Sequence, residues 1–528
     1  MALIDVNNLT FSYETSYDNV FENVSFQIDT DWKLGLIGRN GRGKTTFLNL
    51  LLSKYDYQGS IISSVNFSYF PFEIENPEMD TIEVAKDIIA PFRKWKEEMD
   101  KCLEDKLSTT MDRYGQLLEL YQNHDGYIIE ELIEKELGLL QVDLSVLTRP
   151  FSTLSFGERT KIMLAALFLK KNNFLLIDEP TNHLDMEGRD ILGDYLNSKK
   201  GFILVSHDRI FLDKCIDHVL SINRNNIEVQ KGNFTSWKTN KDLQDQFELV
   251  KNKQLKKEIQ ELNHAANRTS TWSDKIEGQK IGGGPVDRGA IGHKSAKMMK
   301  RAKSIERRAL ESAEEKKGLL KNIEQIDSLK MNVLSFQKRR MVEAKDLSLY
   351  YDDRQISSDI NFSLTKGDRI AIRGQNGSGK STLFKLILGN DIKHSGHLYV
   401  APSLKISYVS QETSHLKGSL KDFAYNNGLD ETIFLTVLRQ LGLSRVQFDK
   451  DISHFSGGQK KKVLLGKSLA EPAHLFIWDE PLNFIDIFSR EQIQEVILAY
   501  EPTMIFVEHD RMFTDMIKTG EVVLDINP

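Results

Sequence analysis

Four short patterns occur twice, in the same order, in a chain of 528 residues. Gly38-Arg39-Asn40-Gly41-Arg42-Gly43-Lys44-Thr45 has the form GxxxxGK[ST], and so has Gly374-Gln375-Asn376-Gly377-Ser378-Gly379-Lys380-Ser381. Each is followed by a Ser-x-Gly-[Gln/Glu] turn, an apolar run ending in Asp-Glu, and a Glu/Ser-His-Asp triplet. One GxxxxGK[ST] loop would say only that the chain holds nucleotide phosphates. Two complete sets demand two domains of one α/β fold and imply that the domains work as a pair.

The copies are not in constant register. Lys44 and Lys380 lie 336 residues apart, Phe72 and Gln411 339, Ser155 and Ser456 301, Asp178 and Asp479 301, and His207 and His509 302. The first copy therefore carries an insertion of about 38 residues between Phe72 and Ser155. Residues 92–129, rich in Lys, Glu, Leu and Tyr at helical spacing, are the candidate for it: a short helical arm on the first domain. The first domain spans 1–237 and the second 338–528, leaving 238–337 as a linker.

That linker region is basic. Residues 238–340 hold 24 Lys/Arg against 14 Asp/Glu, whereas the whole chain has a net charge of −6. Such segregation points to an anionic partner for the linker. One helical stripe runs through Leu243, Phe247 and Val250 and continues, after a slip, through Leu255, Ile259, Leu262 and Ala266. A return leg follows Met298, Ala302, Ile305, Ala309, Ser312, Leu319, Ile323 and Ile326. Gly282-Gly283-Gly284-Pro285 between them cannot be helix interior. The expectation is an antiparallel pair of helices of about 35 residues, about 50 Å long.

Bulk properties narrow the class. Cys102 and Cys215 are the only cysteines, far apart, which excludes a disulfide scaffold, a zinc ribbon or a cysteine-ligated iron–sulfur cluster and fits a reducing cytosol. The N-terminus lacks a basic-then-apolar signal, and no apolar stretch approaches a membrane span.

The motifs carry specific chemistry. Gly38, Gly41 and Gly43, like Gly374, Gly377 and Gly379, let backbone N–H groups converge on a phosphate that a side chain would block. Asn40, Asn376, Thr46 and Thr382 belong to the same loops and helix starts. Lys44 and Lys380 supply point charges to β/γ oxygens, and Thr45 and Ser381 offer hydroxyls to Mg²⁺. Phe174-Leu175-Leu176-Ile177 and Leu475-Phe476-Ile477-Trp478 read as buried parallel strands. Asp178 and Asp479, at their ends, would hold Mg²⁺. Glu179 and Glu480 would orient or deprotonate the attacking water.

The full set resembles the ATP-binding cassette ATPases over both domains. Phe455 to Gln459 (FSGGQ) is similar to that family's signature turn; Leu154 to Glu158 (LSFGE) departs from it at Phe156 and Glu158. The resemblance implies head-to-tail closure, in which ATP at Lys44 meets Ser456, Gly458 and Gln459, and ATP at Lys380 meets Ser155 and Gly157. It implies Tyr13 and Tyr351 (or Tyr350) as adenine-stacking rings, Gln411 as a ligand of Mg²⁺ and water, and His207 and His509 as γ-phosphate sensors. Tyr13 reads equally well as a core strand residue. Phe72 stands where a counterpart of Gln411 belongs and cannot ligate a metal, so the first site is expected to hydrolyse more slowly or to recruit another ligand.

Two cassettes, a basic linker and an arm together resemble the ABC-F proteins, cytoplasmic ATPases that bind the ribosome at the tRNA exit site. Arg288 to Arg301 (RGAIGHKSAKMMKR) and Ser270-Thr271-Trp272-Ser273 are similar to the linker of the ribosome-protecting type active against lincosamides, streptogramin A and pleuromutilins. The resemblance implies large-subunit rRNA and P-site tRNA as partners. Trp272, Lys275, Lys280, Gly283, Gly284, Arg288, Lys294, Lys297, Lys300 and Arg301 are the candidate RNA contacts, in a monomer whose cassettes pair within one chain. The rival readings are a housekeeping ABC-F factor acting on stalled ribosomes, the ATPase subunit of a membrane transporter, and a chromosome or DNA-repair ATPase.

Overall fold

The computed structural model describes residues 3–13, 19–104, 108–182, 184–223, 227–278, 329–351, 354–375 and 377–524, with helical positions at 300, 303–304, 307–308 and 311. The chain forms two compact units. One comprises Met1–Thr235 with Asp327–Pro528, and the other is Ser236–Ile326.

The first unit contains two copies of one α/β architecture. In the first, strands Asn66–Phe70, Asn173–Asp178, Phe202–Val205, Lys33–Ile37 and His218–Ile222 lie side by side in that order, all parallel. An antiparallel strand, Ile227–Lys231, closes the edge. In the second, Ile406–Val409, Leu475–Asp479, Met504–Val507, Arg369–Arg373 and Gly520–Val523 repeat the parallel order. Each copy adds a three-stranded antiparallel sheet: Phe21–Asp29, Leu3–Phe11 and Gln58–Ser63 in one, Arg354–Thr365, Arg340–Tyr351 and His394–Val400 in the other.

Burial on both faces explains the uninterrupted apolar runs of the central strands. Phe174 to Ile177 and Leu475 to Trp478 are all at most 2% exposed. A buried side chain of this kind contributes about 1.5–3 kcal/mol of transfer free energy. The central strand order leaves the carboxyl ends of Lys33–Ile37 and Asn173–Asp178 on one rim, which brings their loops together. Leu329 and Met331 already belong to the buried core of the second copy, and Val333 bridges to Ala473.

The insertion in the first copy consists of helices Phe92–Glu104 and Ser108–Asn123. Met99, Cys102, Leu117 and Tyr121 are buried, and the Phe92 and Tyr121 rings meet edge to face at 5.6 Å.

In the second unit one helix, Phe234–Gly278, runs for 45 residues, about 68 Å at 1.5 Å per residue. This exceeds the expected 35. Leu255 and Ile259, one turn apart, are buried, as their spacing predicts. Leu243, Phe247 and Val250 are not: they are 61%, 69% and 60% exposed, so the expected stripe does not begin where its periodicity does. Trp272 and Lys275 fall within this helix, and Lys300 is exposed in a helical position. Lys280, Gly283, Gly284, Arg288, Lys294, Lys297 and Arg301 lie outside the described residues, as does most of the return leg. Among the described residues no helix is long and apolar enough to cross a membrane.

Candidate nucleotide sites

Each GxxxxGK[ST] loop leads from a central strand into a helix, Lys44–Leu51 in one copy and Lys380–Ile387 in the other. The residue before each helix is a glycine in left-handed backbone, Gly43 at φ 95° and Gly379 at φ 87°, a conformation that a Cβ disfavours. At Gly43 a Cβ would also lie 2.7 Å from Val20. Both lysines fold back over their loops. Lys44 Nζ donates to Gly38 O at 2.7 Å and to Asn40 Oδ1 at 3.2 Å; Lys380 Nζ donates to the carbonyls of Gly374 and Gln375 at 2.9 Å.

Each loop faces the signature turn of the other copy across a cavity. The first cavity, about 630 Å³, is lined by Asn40, Gly41, Lys44, Thr45, Asp178, Glu179 and His207 on one side. Ser456, Gly458, Gln459, Lys462, Phe484 and Asp486 line the other. Asn40 Nδ2 reaches across to Phe484 O at 3.2 Å. The second cavity, about 1290 Å³, sets Gly377, Gly379, Lys380, Ser381, Thr382, Gln411, Glu480 and His509 against Ser155, Phe156, Gly157 and Glu158. Asn376 lies outside the described residues.

Tyr13 is 38% exposed, so it is no core strand residue. It stands edge to face with Phe11 and Tyr55, and its hydroxyl pairs with Thr46 Oγ1 at 2.7 Å. Tyr351 is paired in its strand with Arg354, and Tyr350 stands 3.5 Å from Ser395 Oγ.

The two carboxylate clusters differ. In the second cavity Glu480 Oε2 accepts from Gln411 Nε2 at 2.9 Å and from Asn483 Nδ2 at 2.7 Å, while Oε1 pairs with His509 Nε2 at 3.3 Å. Burial alone would raise the Glu480 pKa, but His509, Lys380 and Lys461 override it and hold it down at about 2. Gln411 thus grips Glu480. In the first cavity Phe72 provides no such donor, and Glu179 Oε1 is buried without a hydrogen-bond partner, His207 Nε2 standing 3.4 Å away. Burial, reinforced by the adjacent Asp178 charge, pushes Glu179 up to about 8. Burial and the positive charges of Lys44 and Arg490 push His207 well down.

Asp178 and Asp479 each accept a hydroxyl bond from their own loop, from Thr45 and Ser381 respectively, and burial raises both. A carboxylate and a hydroxyl together are the hard oxygen donors that Mg²⁺ prefers, with room for phosphate oxygens and water. The donor set fits that ion. Asp178 also accepts the Tyr69 hydroxyl at 3.0 Å.

Several residues here escaped motif reading: Tyr69, Asn483, Lys462, Asp486, Arg189 and Arg490. Lys462 and Asp486 form an ion pair of 3.1 Å, both nearly fully buried. Arg189 pairs with Asp208 and Arg490 with Asp510, each at 3.0 Å. The two arginines recur 301 residues apart, a signal that was present in the repeat. Beside them, Arg511 meets Asp190 of the other copy at 2.5 Å and Arg209 meets Glu491 at 3.8 Å.

A family model described as "ABC transporter" matches residues 21–182 and 357–483, more than half of the chain. The chain belongs to the ABC transporter family. It is an ATPase with two tandem cassettes. It is 28% identical over 531 residues to the ribosome protection protein VmlR of Bacillus subtilis, covering 98% of this chain and 86% of that protein. It is 27% identical over 523 residues to the energy-dependent translational throttle protein EttA of Escherichia coli K12, covering 95% and 88%. Among solved structures, an archaeal ribosome recycling factor aABCE1, crystallised with the stalk protein aP1, shares the tandem fold. Its TM-score is 0.58 at 16% identity, over 98% of this chain and 87% of that one.

Proposed function

We propose that this chain is an ABC-F factor that binds the ribosome in its ATP-loaded form and protects it from antibiotics bound near the peptidyl-transferase centre. The observation that carries the reading is the basic, unduplicated segment 238–337 joining two cassettes that already face each other across paired cavities. Similarity to VmlR, named for ribosome protection, along nearly the whole chain supports it.

Two ATPs lie between the cassettes. Lys44 and Lys380 bind β/γ oxygens, the loop glycines cradle them, and Ser456 and Ser155 cover them from the opposite cassette. Tyr13 and Tyr351 flank the bases. Thr45 with Asp178, and Ser381 with Asp479 and Gln411, would hold Mg²⁺, which neutralises phosphate charge when bound. Glu179 and Glu480 orient the attacking water; His207 and His509 sense the γ-phosphate. With the cassettes shut, the arm and linker enter the exit-site region. Lys275, Lys280, Arg288, Lys294, Lys297, Lys300 and Arg301 offset rRNA phosphate repulsion, so binding weakens steeply with salt. Gly283 and Gly284 allow close backbone approach, and Trp272 offers a stacking ring. The linker displaces P-site tRNA and dislodges the drug, and hydrolysis releases the factor. The work comes from differential binding of two conformations.

The near-equal similarity to EttA favours a second reading, a housekeeping factor acting on stalled ribosomes. Ribosome co-sedimentation with ATP, using Glu179→Gln with Glu480→Gln, separates the outcomes. The double variant should pellet with ribosomes far better than wild type; equal pelleting overturns the ribosome reading. Binding without a gain in lincosamide or pleuromutilin tolerance of expressing cells selects the housekeeping role.

A further inference from the structure

Lys461 lies just beyond the FSGGQ turn, in the helix Gly457–Ala470, and is only 3% exposed. Its ammonium reaches out of that helix to two other segments. Nζ donates to Ser410 O at 2.9 Å and to Glu480 O at 3.0 Å, with Asp479 O at 3.5 Å. All three acceptors are backbone carbonyls, which suits an ammonium, a group with three donors and no lone pair. Burial lowers its pKa, and Glu508, Asp479 and Glu480 oppose the fall.

Those carbonyls flank the carboxylate of the Lys380 site. Ser410 immediately precedes Gln411, whose Nε2 donates to Glu480 Oε2 at 2.9 Å. Lys461 therefore closes a ring: Gln411 and Glu480 meet through their side chains on one side, and their backbones meet at one ammonium on the other. Glu480 itself sits at φ 47°, a left-handed backbone that a side chain disfavours. Its N–H donates to Val507 O at 3.1 Å, and its carbonyl is the one that Lys461 holds. Both ends of the residue are thus fixed in the conformation that turns its carboxylate toward Gln411, Asn483 and His509.

The fold does not require the lysine. Thr160 stands at the same place in the repeat, 301 residues earlier, and is buried in a helix of the same length. There Glu179, at φ 51°, has its carbonyl accept from Asn182 N at 3.5 Å. A buried ammonium is costly to desolvate, and the repeat shows that strand, turn and helix form without one. We propose that Lys461 is a positioning residue for ATP hydrolysis at the Lys380 site: by holding the carbonyls of Ser410 and Glu480 together, it keeps the Gln411–Glu480 pair aimed at the attacking water. In that step the water oxygen bonds to the γ-phosphorus, and the water proton passes to Glu480. The bond from that phosphorus to the bridging oxygen breaks, its electron pair leaving on ADP. The inference rests on the reading that Glu480 orients this water.

Steady-state ATP turnover of the full chain is measured for wild type, Lys461→Met, Glu480→Gln and the double variant, with urea unfolding of each to show that it is folded. Lys461→Met keeps most of the apolar stem and removes the cation. It should abolish most of the turnover that Glu480→Gln abolishes, a loss of about 10- to 100-fold at that site, with the KM for ATP within about twofold of wild type. In the Glu480→Gln background it should cost less than about twofold more, because it acts through that carboxylate. Lys461→Thr, which copies the residue of the first cassette, should behave in the same way and decides the matter if the Met variant does not fold. Wild-type turnover in a folded Lys461 variant, a rise in KM in place of a fall in kcat, or equal losses with and without Glu480→Gln overturns the positioning role. Unchanged turnover in Glu480→Gln alone overturns the reading of Glu480 itself.

Discussion

Replacing Glu508 by Gln should change how stability depends on pH rather than uniformly weaken the fold. Glu508 is 6% exposed and accepts the backbone N–H groups of Leu482 at 2.7 Å and His509 at 3.2 Å, tying the segment after Glu480 to the histidine loop. Burial raises its carboxyl from an ordinary 4.5 to about 7; Arg490, the Leu482 bond and His509 oppose the rise, and Glu480 adds to it. The folded state therefore binds more protons than the unfolded state between those two values, and the stability due to this group falls as pH rises through that window. Integrating the linkage gives a penalty of about 1 kcal/mol at pH 5 and about 3 kcal/mol at pH 8. Gln carries no titrating proton and keeps an acceptor for Leu482 N, but it loses the acceptor for His509 N, about 1 kcal/mol. The variant should match wild type near pH 5 and exceed it by about 2 kcal/mol at pH 8. Urea unfolding of the full chain, followed by the fluorescence of Trp478, the one tryptophan of the second cassette, measures the difference at both pH values. A difference that does not grow with pH would refute the burial argument.

Arg490→Met should lower the stability of the second cassette by about 3–5 kcal/mol, since Asp510 would be left buried without its cation; a double variant with Asp510→Asn should recover much of that loss in the same unfolding assay. Gly458→Ala places a Cβ 2.7 Å from Phe484 O, whereas at Gly457 the nearest Phe484 atom is 3.8 Å away. Gly458→Ala should cost about 1–3 kcal/mol and lower ATP turnover, with Gly457→Ala close to wild type in melting and ATPase assays. Tyr69→Phe frees Asp178 Oδ2 of its phenol partner; the magnesium concentration giving half-maximal ATP retention at the first site should fall, and an unchanged midpoint would show that the hydroxyl does not compete with the ion.

The parts of the site set by backbone geometry were legible in the sequence. Glycine at 43 and 379, in left-handed backbone before each helix, and the apolar runs buried ahead of Asp178 and Asp479 leave an imprint because backbone conformation and burial constrain the residue type there. Roles set by long-range pairing were not. Tyr69 and Tyr408 occupy the same place in the repeat, yet only Tyr69 has a hydrogen bond to its aspartate among the described side chains. Asn483 and Asn182 are likewise aligned, and it is Asn483 that grips its glutamate. The Leu243-Phe247-Val250 stripe shows the converse: periodicity predicts which residues share a helix face, but not whether anything covers it.

Few side-chain contacts join the cassettes among the described residues, and the ion pairs among them follow the repeat. The repeat supplies two quasi-equivalent ion pairs, Arg511 with Asp190 and Arg209 with Glu491. The first is 43% exposed on both partners and the second is stretched to 3.8 Å. An exposed pair such as the first contributes about 0–1 kcal/mol. The two pairs fix the register in which the cassettes meet, because an acid follows each buried arginine and an arginine follows each buried aspartate, and a shift in register would set like charges together. They do not hold the faces shut. That leaves the two cavities, each walled by a phosphate loop from one cassette and a serine from the other, as the places where binding energy is gained only on closure. A ligand bridging those walls biases the closed form by its differential affinity alone. The two walls are not identical: Glu158 Oε2 accepts the Ser155 hydroxyl in one, whereas the Gln459 side-chain oxygen accepts only the Ser456 backbone N–H in the other, among the described contacts.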